Sequence, residues 1–166
     1  MSTIHPHSST SPSTASALLA EWRRLTLEGN DARQTQCVAH ALAWHEQALR
    51  VAHQLLFRHA GSIEVTHDDR LAAFVVAHLN LAECLEAMDQ KAQAAECLRC
   101  AHHRLVALMQ SEDESEAMRL AACHHIRYTW AALNSQGAQP SDATHDADAL
   151  PRSVPHIGPH HSTSLH

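Results

Sequence analysis

Three residues with metal-ligand chemistry recur at regular spacing in one segment, as Cys97-x-x-Cys100-x-x-His103. Residues three apart on a helix lie on neighbouring turns, so the two thiols and the imidazole share one side of it. Thiolate and neutral imidazole are preferred ligands of zinc, copper and nickel. The three residues are therefore a candidate metal site, for which residues 123–125 could supply a fourth ligand if their helix lies alongside. Because a structural zinc ion normally takes four protein ligands, incidental placement of the three residues is the simpler interpretation.

Histidine is the unusual feature of the composition, with seventeen among 166 residues. Those near the chain ends lie in Ser- and Pro-rich segments, which can wrap around a divalent ion without a preformed cavity. They are His5, His7, His156, His160, His161 and His166. These histidines suggest soluble handling of zinc, copper or nickel as an alternative function. His45 and His78 stand at apolar helix positions instead, where a packed ring is the simpler interpretation.

Neither catalysis nor nucleic-acid binding is indicated by the motifs and the charge. The four glycines are isolated and form no phosphate-binding loop, and His45-Glu46 does not continue into a His-Glu-x-x-His zinc motif. Twelve basic and eighteen acidic residues give a formal charge of −6, without the concentrated basic face that nucleic acids need. We therefore expect a protein that is not an enzyme, has no resident cofactor and does not bind nucleic acid.

The composition predicts an all-α protein of the cytoplasm. Apolar residues make up 45% of the chain and aromatic residues only 4%, a balance that suits closely packed helices. No run approaches the ~18–20 apolar residues that span a bilayer, and the polar start does not resemble a secretory signal. The five cysteines are an odd number spread through helical segments, which is typical of reduced thiols.

Apolar positions spaced by threes and fours predict five helices in one domain, residues 15–135. The helices cover about 15–34, 38–59, 67–87, 91–110 and 111–134. Thr66 with Asp69 is a capping-box pattern for the start of the third helix, and Ser111 with Glu114 is the same pattern for the fifth.

The two ends of the chain, residues 1–14 and 136–166, are predicted to be disordered tails. Both are rich in Ser, Thr, Pro and His and offer little to bury. Four prolines between positions 140 and 159 exclude a long helix in the second tail.

The middle of the chain resembles a tetratricopeptide repeat, whose hairpin of two helices alternates small and large residues at fixed spacing. The residues that carry this resemblance are Leu81, Ala82, Leu85, Ala94, Leu98 and Ala101. In this alignment the side of the helix that carries Cys97, Cys100 and His103 faces away from the core. A weaker match lies upstream at Leu25, Gly29, Ala32, Ala41, His45 and Ala48. The aligned small residues Gly29 and Ala82 are 53 positions apart rather than 34, so we expect longer helices and a loop between the repeats. The fifth helix would then cap the array.

The resemblance implies that the chain binds a protein or peptide segment, since members of this family usually hold one in a concave groove lined by their first helices. Asn80 stands at a position that contacts the ligand in some members, but Val76 replaces the basic residue that accompanies it there. The groove residues expected here are Val76, Leu79, Asn80, Glu83 and Glu86, and they suggest an apolar or basic ligand. A non-catalytic adaptor or chaperone-like module is therefore the leading hypothesis, and self-association along exposed helices is compatible with it.

Overall fold

The structure of the protein is a computed structural model that describes residues 14–57 and 64–137. These ranges contain five α-helices and no β-strand, so the predicted all-α class is confirmed. The helices are α1 (Thr14–Gln34), α2 (Val38–Phe57), α3 (His67–Ala87), α4 (Lys91–Gln110) and α5 (Glu116–Gly137). None of the described helices is both long and apolar enough to cross a membrane. The predicted tails, apart from Thr14, Gln136 and Gly137, lie outside the described residues, as does the expected end of the second helix near His59.

Helices α1 and α3 run side by side in the same direction, as contacts at both ends establish. Near the start of α1, the Ser16 hydroxyl donates a hydrogen bond to Glu64, just before α3, at 2.8 Å. Near the end of α1, Arg33 forms an ion pair with Glu83, close to the end of α3. The chain must return from the end of α1 to the start of α3, so α2, which connects them, runs in the opposite direction to both.

The same arrangement recurs between α3 and α5. Asp68 in the first turn of α3 contacts His125 in the middle of α5, and Glu86 near the end of α3 accepts a hydrogen bond from Gln136 near the end of α5. Helix α4 runs back between them and packs on both. The parallel helices α1, α3 and α5 therefore lie in one row, with α3 in the centre.

The buried core consists of three side-chain clusters, and α3 contributes to every one of them. One joins α1, α2 and α3, the second joins α2, α3, α4 and α5, and the third joins α3, α4 and α5. No Cα atom of α1 or α2 approaches one of α4 or α5 within 8 Å. The helices thus form a linear stack that α3 holds together.

The turns α1–α2 and α3–α4 have the same backbone geometry. Gln36 and Asp89 occupy corresponding places and both have φ of 60°, the left-handed conformation that commonly ends a helix. In each turn the amide of this residue donates to the carbonyl three residues back at 2.9 Å, and the next amide donates five residues back at 2.8 Å. This pair of hydrogen bonds is the Schellman motif, which satisfies two of the carbonyls left free at a helix end.

The interiors of these two hairpins also correspond position by position. Counted from Gly29 in the first hairpin and Ala82 in the second, the residues 12, 16 and 19 positions further on are buried in both. They are Ala41, His45 and Ala48 in α2, and Ala94, Leu98 and Ala101 in α4. Small residues at these places allow the paired helices to approach closely. The α1–α2 and α3–α4 hairpins are therefore internal repeats offset by 53 residues.

The predicted start of α3 is confirmed in detail. The Asp69 amide donates to the Thr66 hydroxyl at 3.0 Å, and the Thr66 amide donates to the Asp69 carboxylate at 3.4 Å. The two residues thus form the capping box that the sequence indicates.

The predicted start of α5 is wrong by about four residues. Ser115 rather than Ser111 caps the helix, because its hydroxyl accepts a hydrogen bond from the Met118 amide at 3.1 Å. Ser111 instead ends α4, and Glu114, its expected partner in the box, precedes α5. At its other end α5 continues to Gly137, beyond the predicted limit near residue 134.

Candidate functional site

The groove residues predicted from the resemblance follow the length of α3, the central helix of the row α1, α3 and α5. Glu83 is exposed, whereas the other four are half-buried: Val76, Leu79, Asn80 and Glu86. Leu79 packs against two of the core clusters, so much of its side chain is committed to the fold. Val76, Asn80 and the two glutamates belong to none of the three core clusters.

The two glutamates connect α3 to its neighbours on both sides. The Glu83 carboxylate pairs with the Arg33 guanidinium of α1, and the Glu86 carboxylate accepts from the Gln136 amide of α5. Glu83 keeps 53% of its side-chain surface exposed in this ion pair. The row of parallel helices therefore presents a continuous surface, which carries the two carboxylates near its carboxyl-terminal end.

The metal ligands predicted on α4 have different environments from one another. Cys100 and His103 are exposed, but Cys97 is half-buried and its thiol donates to the His78 carbonyl oxygen of α3 at 3.6 Å. Burial, together with the neighbouring Cys100, raises the pKa of the Cys97 thiol to about 12. The expectation that Cys97 faces away from the core is wrong, because α4 packs against α3 and α5 and so is covered along more than one side.

A different group of potential metal ligands comes together at the start of α3. Asp68, His124 and His125 are the one such group within residues 14–57 and 64–137, with one ligand atom from each all within 4.8 Å of one another. Asp68 Oδ1 lies 3.3 Å from His124 Nδ1 and 2.9 Å from His125 Nε2. Asp68 and His124 are exposed, whereas His125 is buried with 6% of its surface accessible.

The hydrogen bonds of this Asp-His-His group define which nitrogens carry protons. Arg127 Nη2 donates to His124 Nε2 at 3.0 Å, so the His124 proton resides on Nδ1 and is donated to Asp68. His125 donates from Nε2 to the same carboxylate oxygen. Partial burial raises the pKa of Asp68, but the hydrogen bonds and charge of the two histidines outweigh it and lower the pKa overall. The site therefore holds an ionised carboxylate between two imidazoles.

Sequence reasoning missed the Asp-His-His group because its members are 56 and 57 residues apart. The His124-His125 pair is visible in the sequence, but Asp68 resembles an ordinary acidic residue in the first turn of a helix. Only the parallel packing of α3 and α5 brings them together. The predicted ligands in the tails, His5, His7, His156, His160, His161 and His166, lie outside the described residues.

Fold and site together define an all-α protein of two repeated α-hairpins and a final helix. It belongs to the family described as "Protein of unknown function (DUF2753)", whose model matches residues 20–149, more than half of the chain. No curated protein and no solved structure matches it significantly.

Proposed function

We propose that the protein is a non-catalytic cytoplasmic adaptor that holds a short apolar segment of a partner protein, with one basic residue, on the surface shared by α1, α3 and α5. The observation that carries this proposal is the pair of side-chain bridges on the flanks of α3, from Glu83 to Arg33 and from Glu86 to Gln136. They join three parallel helices into one surface, which is the arrangement that a tetratricopeptide-like array uses to bind a peptide.

The internal repetition of the chain supports the same proposal. Two hairpins with the same turn and the same buried positions stack in sequence order, and α5 packs on the second as a further helix of the row. In a tetratricopeptide-like array each hairpin buries one side against its neighbour and leaves the row of first helices accessible. Residues on that row, rather than on α2 and α4, are therefore the ones proposed to contact the partner.

Charge and polarity determine the proposed ligand. Val76 offers an apolar contact, Asn80 offers an amide that can bond to an extended backbone, and Glu83 and Glu86 offer carboxylates. Arg33 already balances part of the charge of Glu83, so one basic side chain of the ligand, rather than a polybasic run, would complete the site. The ligand is accordingly an apolar segment with a Lys or Arg about two turns, or a few extended residues, away.

A peptide array tests this proposal with the full-length protein as the probe. The array would carry segments that combine Leu or Val with Lys or Arg, together with versions in which the basic residue becomes Glu. Binding should favour the basic versions, and affinities of the best peptides would be measured by calorimetry. Val76→Arg, which adds bulk and a like charge, should weaken binding at least about tenfold. Asn80→Ala should weaken it as well.

Gln93→Arg provides the matched control, because it adds the same charge at an exposed position of α4. Both variants should retain the circular dichroism spectrum and thermal midpoint of the natural protein. Equal affinity for basic and acidic peptides, or equal losses in Val76→Arg and Gln93→Arg, would contradict the proposal.

A further inference from the structure

We infer that Asp68, His124 and His125 form a binding site for a divalent transition-metal ion of the zinc class, which joins the start of α3 to the middle of α5. This inference goes beyond the proposed adaptor function and does not depend on it. It assigns metal binding to residues other than Cys97, Cys100 and His103. It rests on one carboxylate of α3 and two imidazoles of α5 whose donor atoms all lie within 4.8 Å of one another.

The spacing of the donor atoms is close to what tetrahedral zinc requires. With metal–ligand distances of about 2.0–2.1 Å, two ligand atoms of a tetrahedral ion lie about 3.3–3.4 Å apart. The observed distances from Asp68 Oδ1 are 3.3 Å to His124 Nδ1 and 2.9 Å to His125 Nε2. All three donor atoms lie within 4.8 Å of one another, so side-chain shifts on the order of an ångström would bring them to tetrahedral spacing, with water in the fourth position.

The packing around the site holds its ligands in a fixed arrangement. His125 is buried, so its ring orientation is set by packing, and its ring contacts those of His124 and Tyr128. Two imidazoles and a carboxylate with an open position form a donor set that zinc occupies in proteins.

Arg127 is the residue that opposes metal binding. To coordinate through Nδ1, His124 must carry its proton on Nε2, the nitrogen that now accepts from Arg127 at 3.0 Å. The guanidinium must therefore swing away, and its positive charge near the ion is unfavourable. Arg127 is exposed, so this movement costs little packing. Loss of Arg127 should accordingly strengthen metal binding, an effect that a purely hydrogen-bonded cluster would not show.

The test uses the full-length protein, prepared without nickel resin and treated with a chelator. Zn²⁺ should raise its thermal midpoint, because an ion that binds the folded state preferentially stabilises it. Co²⁺ should give the visible absorption of a four- or five-coordinate ion. Both effects should be lost in Asp68→Asn and in His124→Gln. Arg127→Gln should bind Zn²⁺ about tenfold more tightly than the natural protein.

The controls separate this site from the other histidines and cysteines. Replacing His5, His7, His156, His160, His161 and His166 with Gln should reduce the number of ions bound but preserve the rise in thermal midpoint. Ligands in tails that the sequence predicts to be disordered should bind the folded and unfolded chain alike. His103→Gln and Cys100→Ser, both at exposed positions, should also preserve it. An unchanged midpoint shift in Asp68→Asn, or an affinity in Arg127→Gln no higher than that of the natural protein, would overturn the inference.

Discussion

Gly29 of α1 lies directly against the imidazole ring of His45 in α2. A Cβ atom added at Gly29 would be 2.4 Å from Cε1, 2.6 Å from Nε2 and 2.7 Å from Nδ1 of His45. The ring is fully buried, and neither of its nitrogens has a hydrogen-bond partner among the described residues. The close contact between α1 and α2 at this point thus depends on the absence of a side chain at Gly29.

Gly29→Ala should destabilise the protein by about 1–2 kcal/mol, because overpacking costs about 1–3 kcal/mol and better helix propensity returns at most about 1 kcal/mol. Urea unfolding followed by circular dichroism measures this change. In a His45→Ala background the ring is gone, so the same substitution should be neutral or stabilising. An equal cost in both backgrounds would show that the contact with His45 is not the cause.

The free energy of unfolding should fall as the pH drops from about 6.5 to 4. Burial, and secondarily the charge of His53, lowers the pKa of His78 to about 4, despite its hydrogen bond to the Phe74 carbonyl. A histidine whose pKa is lower in the folded state contributes stability above its unfolded pKa of ~6.5 and loses it on acidification. The loss for His78 is about 3 kcal/mol across this range.

His78→Phe should reduce this pH dependence, measured by urea unfolding at several pH values, while exposed His103→Gln should leave it unchanged. Burial also lowers the pKa values of His45 and His53, so part of the slope should persist in the first variant. A slope identical to that of the natural protein in His78→Phe would rule out this source.

Gln36→Gly should stabilise the protein by about 0.5–1 kcal/mol. Gln36 has φ of 60°, a conformation that costs an L-residue with a side chain about 1–2 kcal/mol and costs glycine almost nothing. Part of the gain is offset by the greater freedom of glycine in the unfolded chain. Gln34→Gly, two residues earlier at the end of α1, should destabilise by up to about 1 kcal/mol. If Gln36→Gly relieves this strain, thermal unfolding should show a higher midpoint for Gln36→Gly and a lower midpoint for Gln34→Gly than for the natural protein.

Ser115→Ala should cost about 1 kcal/mol of stability, because it removes the hydroxyl that caps the Met118 amide. Ser111→Ala should cost much less, since that residue contributes its backbone carbonyl, which accepts from Arg119 at 3.3 Å and survives the substitution. Chemical denaturation of the pair would distinguish the two possible starts of α5. A larger loss in Ser111→Ala would favour the start that the sequence indicates.

Cys97 should react with iodoacetamide far more slowly than Cys100 in the folded protein. With a pKa of about 12, its thiol is almost entirely protonated at pH 8, and the thiolate is the reactive form. Peptide mass spectrometry would give both rates, and unfolding in urea should make them similar. The same assay with added Zn²⁺ tests the metal site predicted on α4. Slower alkylation of Cys100 by zinc would support that site.

The helices could be predicted from the sequence because the features that define each helix, its apolar spacing and its capping residues, lie within that helix or next to it. Apolar spacing and the pattern Thr66-x-x-Asp69 locate the start of α3 correctly. The start of α5 is ambiguous at the same level, since Ser111 and Ser115 are both acceptable caps and only the backbone path decides between them. The repeat alignment places Cys97 on the exposed side of α4, which is wrong because the alignment does not include the packing of α3 and α5 around that helix.

The Asp-His-His group could not be predicted for a different reason. Asp68 and His125 belong to helices separated by α4, and no sequence period links residues 57 positions apart. The contact follows from the parallel arrangement of α3 and α5, which is a property of the stack rather than of either helix. The number of histidines suggests metal binding in general, but the sequence does not distinguish His124 and His125 from the many others as ligands.

The central place of α3 in all three core clusters has a consequence for cooperativity. Loss of α1 would leave α3 still packed on α4 and α5, and loss of α5 would leave it packed on α1 and α2. Opening of α3 itself would remove most of the packing between the two halves of the molecule at once. Its backbone amides should therefore exchange with deuterium only through global unfolding, whereas the outer helices should exchange through smaller, partial openings.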